Sequence, residues 1–137
     1  MARDVIVANR TQLVQKSVRD CGCAMLIYKI ADEPSWRQAE AAGLYHGSAD
    51  DARDGFVHFS TAVQARETAA KHFSGRADLV IAAIASGMLG NALKWEPSRG
   101  GALFPHLYGV LPMRAVVWCK PLPLGADGLH AMPGEVV

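Results

Sequence analysis

The chain has 137 residues, half of them hydrophobic and a fifth charged, enough for one sizeable core and too few for two. Its net charge is +1, and because residues 1–24 hold four Lys/Arg and two Asp/Glu, the remainder carries ten basic against eleven acidic side chains; bulk nucleic acid calls for a basic stripe that this balance lacks. The longest apolar run, Leu79 to Ala85, falls far short of the roughly 20 residues that cross a bilayer, no signal-peptide pattern opens the chain, and no membrane partner and a cytoplasmic location are expected.

Residues 1–24 read as a flexible arm outside a single domain over 25–137, with the core at about 25–124. Cys21 and Cys23 flank one glycine, a spacing tighter than the usual zinc pattern and without a second pair. Cys119 stands alone in an apolar segment, so no disulfide framework is implied. From Leu26, "LIYKIA" reads as a strand. "EPSWRQAEAAG" reads as a helix, with Pro34 in its first turn, Gly43 as its stop, and Trp36 and Ala39 at core spacing. "LYHGSADDARDGF" has loop composition and is the expected mobile binding loop. "FVHFS" is a strand, and "TAVQARETAAKHFSG" a helix that Thr61 and Gln64 open with capping-box spacing and Gly75 closes.

Asp78 to Ala85 is an apolar strand free of alternation, as expected of one buried on both faces. "ALKWEP" is a strand ending at Pro97, "SRGG" a turn, and "ALFPHLYGVLP" extended, since Pro105 and Pro112 both oppose helix. "RAVVWCKPLPL" supplies a last strand, and the tail after Gly125 reads as loose. The order β-α-β-α-β-β-β gives an α+β domain with two or three helices early and strands late.

Strand alternation places Phe56, His58 and Ser60 on one face and Val57 and Phe59 on the other. A local hydrogen bond for His58 and a lead into the helix for Ser60 would account for either residue alone. "FPHLY" repeats the pattern, with Phe104, His106 and Tyr108 on one face, and two such faces point to one shared cleft. Glu96, on the face of "KWE" opposite Trp95, is either a solvated edge carboxylate or a cleft residue that acts as a base or stabilises a cationic sugar carbon. His58, Glu96 and His106 would also make a two-His, one-carboxylate metal set, although they come from separate segments and lack metal-motif spacing. Ser60 lacks a nucleophile elbow.

"IYKI", Trp36 with its Ala-rich helix, "DGFVHFST", "LKWEPS" and "FPHLYGVLP" resemble the bacterial family catalogued as domain of unknown function 952, over about residues 25–124. More distantly, "IYKI", "AAGLY" and "FVHFS" follow in the order seen in the ADP-ribosyltransferase superfamily, which includes the NAD-using RNA 2'-phosphotransferases. That resemblance implies a split, mainly antiparallel sheet with NAD as substrate in its cleft. The cleft would be lined by Tyr28, Phe56, His58, Ser60, Glu96, His106 and Tyr108. His58 would hydrogen-bond ribose, Tyr108 or Phe56 would stack on nicotinamide, and Glu96 would stabilise the oxocarbenium-like carbon. "YHGS" at 45–48 mimics a His-Gly-Ser/Thr motif of that superfamily but follows the first helix instead of ending the first strand, and the arginines that hold NAD phosphates there have no clear counterparts. A non-catalytic nucleotide or small-molecule binding module is the alternative, and a metal-dependent enzyme the third reading.

Overall fold

A computed structural model of the chain describes residues 25–136; the expected arm over 1–24, with Cys21 and Cys23, lies outside them. The elements in chain order are β1 (Leu26–Asp32), α1 (Glu33–Ala42), β2 (Leu44–Tyr45), α2 (Ala49–Asp54), β3 (Val57–His58), α3 (Ala62–His72), β4 (Leu79–Ala85), β5 (Leu93–Pro97), β6 (Leu103–Leu107), β7 (Leu111–Pro112) and β8 (Val116–Pro121). All strand pairs are antiparallel, in sheets ordered β1-β4-β8, β3-β6-β5 and β2-β7, so the class is α+β.

β4 is buried along its whole length because both faces of its sheet are covered. Val80, Ala82 and Ile84 join a cluster with Trp36 and Ala39 of α1, while Leu79, Ile81 and Ala83 join one with Ala65 and Ala69 of α3. The helix ends follow their caps. Asp32 accepts a hydrogen bond from Ser35 N (2.9 Å), and Gly43 closes α1 in the left-handed region at φ 86°. Thr61 and Gln64 form the reciprocal box that opens α3.

Three stretches differ from expectation. α3 is capped at Phe73, two residues before Gly75, where the Phe73 ring packs against the second cluster. The supposed loop 44–56 holds β2, which pairs with β7, and the six-residue α2. That helix is polar all round and has no apolar stripe to reveal it; it stands because Ser48 and Asp51 form a capping box and Gly55 ends it at φ 90°. The tail after Gly125 is packed. Leu124 bridges to His130, the His130 ring donates to the Arg76 carbonyl (2.8 Å), Lys120 pairs with Glu135, and Val136 is buried in the cluster of Leu122.

The two three-stranded sheets meet at one pair of residues. Tyr28 N donates to Ser60 O (2.7 Å) and Ser60 N to Tyr28 O (2.9 Å). Pro105 explains why the chain crosses over there. Phe59 N donates to its carbonyl (3.0 Å), but proline has no N–H to return the bond. The β3–β6 ladder therefore stops, and the next residue pairs with β1 instead. Among the described residues no helix is long and apolar enough to cross a membrane.

Candidate functional site

Where β1 and β3 part, a cavity of about 230 Å³ opens. Its walls come from Tyr28 to Ile30 of β1, His58 to Ser60 at and after β3, and Phe104 and His106 of β6. α2 supplies Asp50, Asp51, Arg53 and Asp54, and α3 supplies Thr68 and His72.

Asp51 is the hub of one side. It is 3% exposed, and its carboxylate is surrounded by donors. Oδ2 accepts from Ser48 N (2.8 Å) and Lys29 Nζ (2.9 Å), and Oδ1 from His58 N (3.1 Å) and His58 Nδ1 (2.6 Å). Burial alone would raise its pKa; the His58 hydrogen bond, then the Lys29 charge, more than offset that and hold the carboxyl far below the usual carboxylate range. Lys29, 5% exposed in the middle of β1, is pulled down by burial against the raising effect of Asp51, and its ammonium lies 5.9 Å from the Tyr45 ring centroid. The second ring nitrogen of His58 meets Asp54 Oδ2 at 2.9 Å. Carboxylates only accept, so the two contacts together suit a ring that donates from both nitrogens.

Gly47 makes this approach possible. Its φ is +109°, and a Cβ there would lie 2.7 Å from Asp51 Cβ, closer than real contacts come.

The other side is built around His106, directly opposite His58 in the β3–β6 register, with ring centroids 5.5 Å apart. His106 is 4% exposed, and its Nδ1 donates to Glu96 Oε1 (2.8 Å), which also accepts the Tyr108 hydroxyl (2.8 Å). Those two bonds, the His106 one first, lower the Glu96 pKa. With Nδ1 committed as donor, the neutral His106 ring keeps its lone pair on Nε2, and no protein group among the described residues bonds that nitrogen. Phe56 stacks on the His106 ring (centroids 4.1 Å, planes 26° apart) and touches His58 and Tyr108.

Of the residues singled out in the sequence, Tyr28, His58, Ser60 and His106 line the cavity, whereas Phe56, Glu96 and Tyr108 form a layer behind the histidines. Phe56 has its face against His106 instead of open to a ligand, and Tyr28 leans on Trp118, centroids 5.9 Å apart. Ser60 shares a hydrogen bond with Thr68 (2.8 Å). Among the described residues no group of three His, Cys, Asp or Glu is arranged to hold a metal ion.

Sequence reasoning missed Lys29, Asp51 and Asp54. Two signals were present. A lone lysine interrupts the apolar "LIYKIA", which in a buried strand requires a carboxylate partner. Ser48 and Asp51 also have the spacing that identified Thr61 and Gln64 as a cap.

The family described as a protein of unknown function, DUF952, matches residues 30–119. Protein CC0527 from Caulobacter crescentus is similar in both sequence and structure. Its crystal structure is 49% identical with a TM-score of 0.78, covering 81% of this chain and 97% of that one. Its solution NMR structure is 52% identical with a TM-score of 0.69, covering 76% and 90%. No curated protein matches the chain. With its fold and most of its length accounted for in this way, the chain belongs to the DUF952 family of proteins of unknown function.

Proposed function

We propose that the cavity is a catalytic site for ribosyl transfer from an N-riboside such as the nicotinamide end of NAD, with His106 as general base. The observation that carries this reading is the buried His106 ring. Glu96 fixes its tautomer, the ring lines the cavity, and no group among the described residues bonds its Nε2, as a base requires. In the step, the bond from C1′ to the base nitrogen breaks and its electron pair neutralises the leaving pyridinium. The acceptor oxygen bonds C1′ and gives its proton to His106 Nε2. The Ser60 hydroxyl and the Asp54 carboxylate, both at the cavity wall, supply hydrogen bonds for ribose hydroxyls, and the nearby carboxylates stabilise the oxocarbenium-like carbon. Glu96 acts through His106 and is a positioning residue. The split between two antiparallel sheets supports the ADP-ribosyltransferase-like reading of the fold.

A volume below the roughly 300–1,000 Å³ of whole-ligand pockets suits one end of a dinucleotide, the rest lying outside. A second reading, a binding module without chemistry, is favoured by His58, whose two nitrogens are both held by carboxylates.

Amide shifts of labelled protein titrated with NAD, nicotinamide riboside and ADP-ribose, followed by chromatography for released nicotinamide, test both. Shifts at His58, Ser60 and His106 with nicotinamide release support transfer. Shifts without release support the binding module. No shift with any ligand at millimolar concentration overturns the ribosyl reading.

A further inference from the structure

Resting on the ribosyl reading, we propose that the acceptor at this site is water, which makes the reaction a hydrolysis of the N-glycosidic bond. The reason is where the base stands. His106 comes from β6, the central strand of its sheet, with β3 on one side and β5 on the other. Its ring is covered in turn: Phe56 lies on one face (centroids 4.1 Å), His58 meets it edge-on (5.5 Å), and Glu96 takes Nδ1. Only 6% of the side chain stays open. What bonds Nε2 therefore has to be of about the size of water, because a hydroxyl on a sugar, a nucleotide or a protein brings carbon neighbours for which the surroundings of the ring leave no room.

Space leads to the same acceptor. The cavity of about 230 Å³ is smaller than the roughly 300–1,000 Å³ that holds one drug-sized ligand, so the riboside end of the donor fills it. A second organic substrate has nowhere to sit, whereas a water needs only about 10–15 Å³. Exposure also falls along the wall, from Asp50 and Arg53, most of whose side chains are open, through Asp54 and His58 to the buried His106. Displacement brings the acceptor to the face of C1′ away from the leaving base; with that acceptor against His106, the donor itself stands across the way in. The step balances without a further reactant. The bond from C1′ to the pyridinium nitrogen breaks and leaves its electron pair on nitrogen, the water oxygen bonds C1′, and its proton passes to His106 Nε2 and then to solvent. From NAD the products are ADP-ribose, nicotinamide and a proton.

The full chain is incubated with NAD in a hydroxyl-free buffer, alone and with an excess of propanol or glycerol; products are separated by chromatography and the intact mass of the chain is read alongside. Nicotinamide and ADP-ribose are expected in equal amounts, with no glycoside of either alcohol and no gain of mass on the chain. Release that needs an added alcohol, or an ADP-ribosyl group found on the alcohol or on the chain, overturns the water assignment and leaves the ribosyl reading standing. His106→Gln is expected to slow release at least about a hundredfold while the amide shifts caused by NAD persist. The product ratio from the unaltered chain decides the acceptor whether or not that variant folds. Release by the variant at the unaltered rate places the chemistry elsewhere and overturns both readings, as does the absence of nicotinamide from every arm.

Discussion

The cavity is flanked by two histidine–carboxylate pairs that look alike in sequence and differ in kind. Asp51–His58 is closed. Its carboxylate is buried with four donors, and its imidazole is held at both nitrogens. Glu96–His106 inverts that arrangement, with the carboxylate partly exposed, the imidazole buried, and one ring nitrogen unbonded among the described residues. The first pair therefore ties β1, α2 and β3 together, and the second offers a reactive lone pair. A histidine beside a carboxylate is thus not by itself a catalytic motif; what matters is which partner is buried and which nitrogen is left over.

The sharpest way to break this contrast is to remove the hub. Asp51→Ala strands the Lys29 ammonium in the core and orphans the Ser48 and His58 amides, and is expected to cost about 3–5 kcal/mol of stability, measured by urea unfolding. A cost near that of a surface substitution would show that the closed pair holds nothing together.

The same carboxylate sets an acid limb. Because Asp51 titrates lower in the folded chain than in the unfolded one, its contribution is fully present above the ordinary carboxylate range and is lost as pH falls through and below about 4. Asp51→Asn should flatten the fall in unfolding free energy between about pH 5 and pH 2. A limb of unchanged slope would assign acid sensitivity to other groups.

Gly47→Ala tests the approach of α2 without touching a charge. The strained φ of +109° and the contact with Asp51 predict a loss of about 1–3 kcal/mol, with amide shift changes concentrated at Lys29, Asp51 and His58. Changes confined to residues 46–48 would mean that the hub tolerates displacement.

How much of this could be read from the sequence differs between the two pairs. Alternation in "DGFVHFS" and "FPHLY" brought His58 and His106 to one place, because strand period is local and Val57 and Leu107 both needed the core. Pro105 was legible as a helix breaker, but its larger effect, ending one ladder so that another can begin, depends on the strand beside it. Asp51 was read as loop because "ADDARD" has no apolar stripe. Its meaning comes from Lys29, twenty-two positions earlier, and only tertiary contact supplies that. Glu96 was placed on the correct strand, yet whether it entered the cleft or backed a histidine turned on the His106 ring, which sequence spacing does not orient.

The smallest expected effect in stability is the most informative about chemistry. Glu96→Gln leaves the β5–β6 ladder and the core untouched, so the melting temperature should move little. The amide oxygen can still accept from His106 Nδ1, but the amide N–H can equally donate to it, and the charge that fixed the ring is gone. Nitrogen shifts of the labelled imidazole should therefore show His106 wholly as the Nδ1–H tautomer in the natural chain and as a mixture in the variant, with His58 unchanged. Ligand turnover should fall in step with the lost tautomer while binding is retained, which a purely structural role for Glu96 would not produce. If His106 keeps its tautomer in the variant, the Phe56 stack rather than Glu96 orients the ring, and the second pair resembles the first more closely than its geometry suggests.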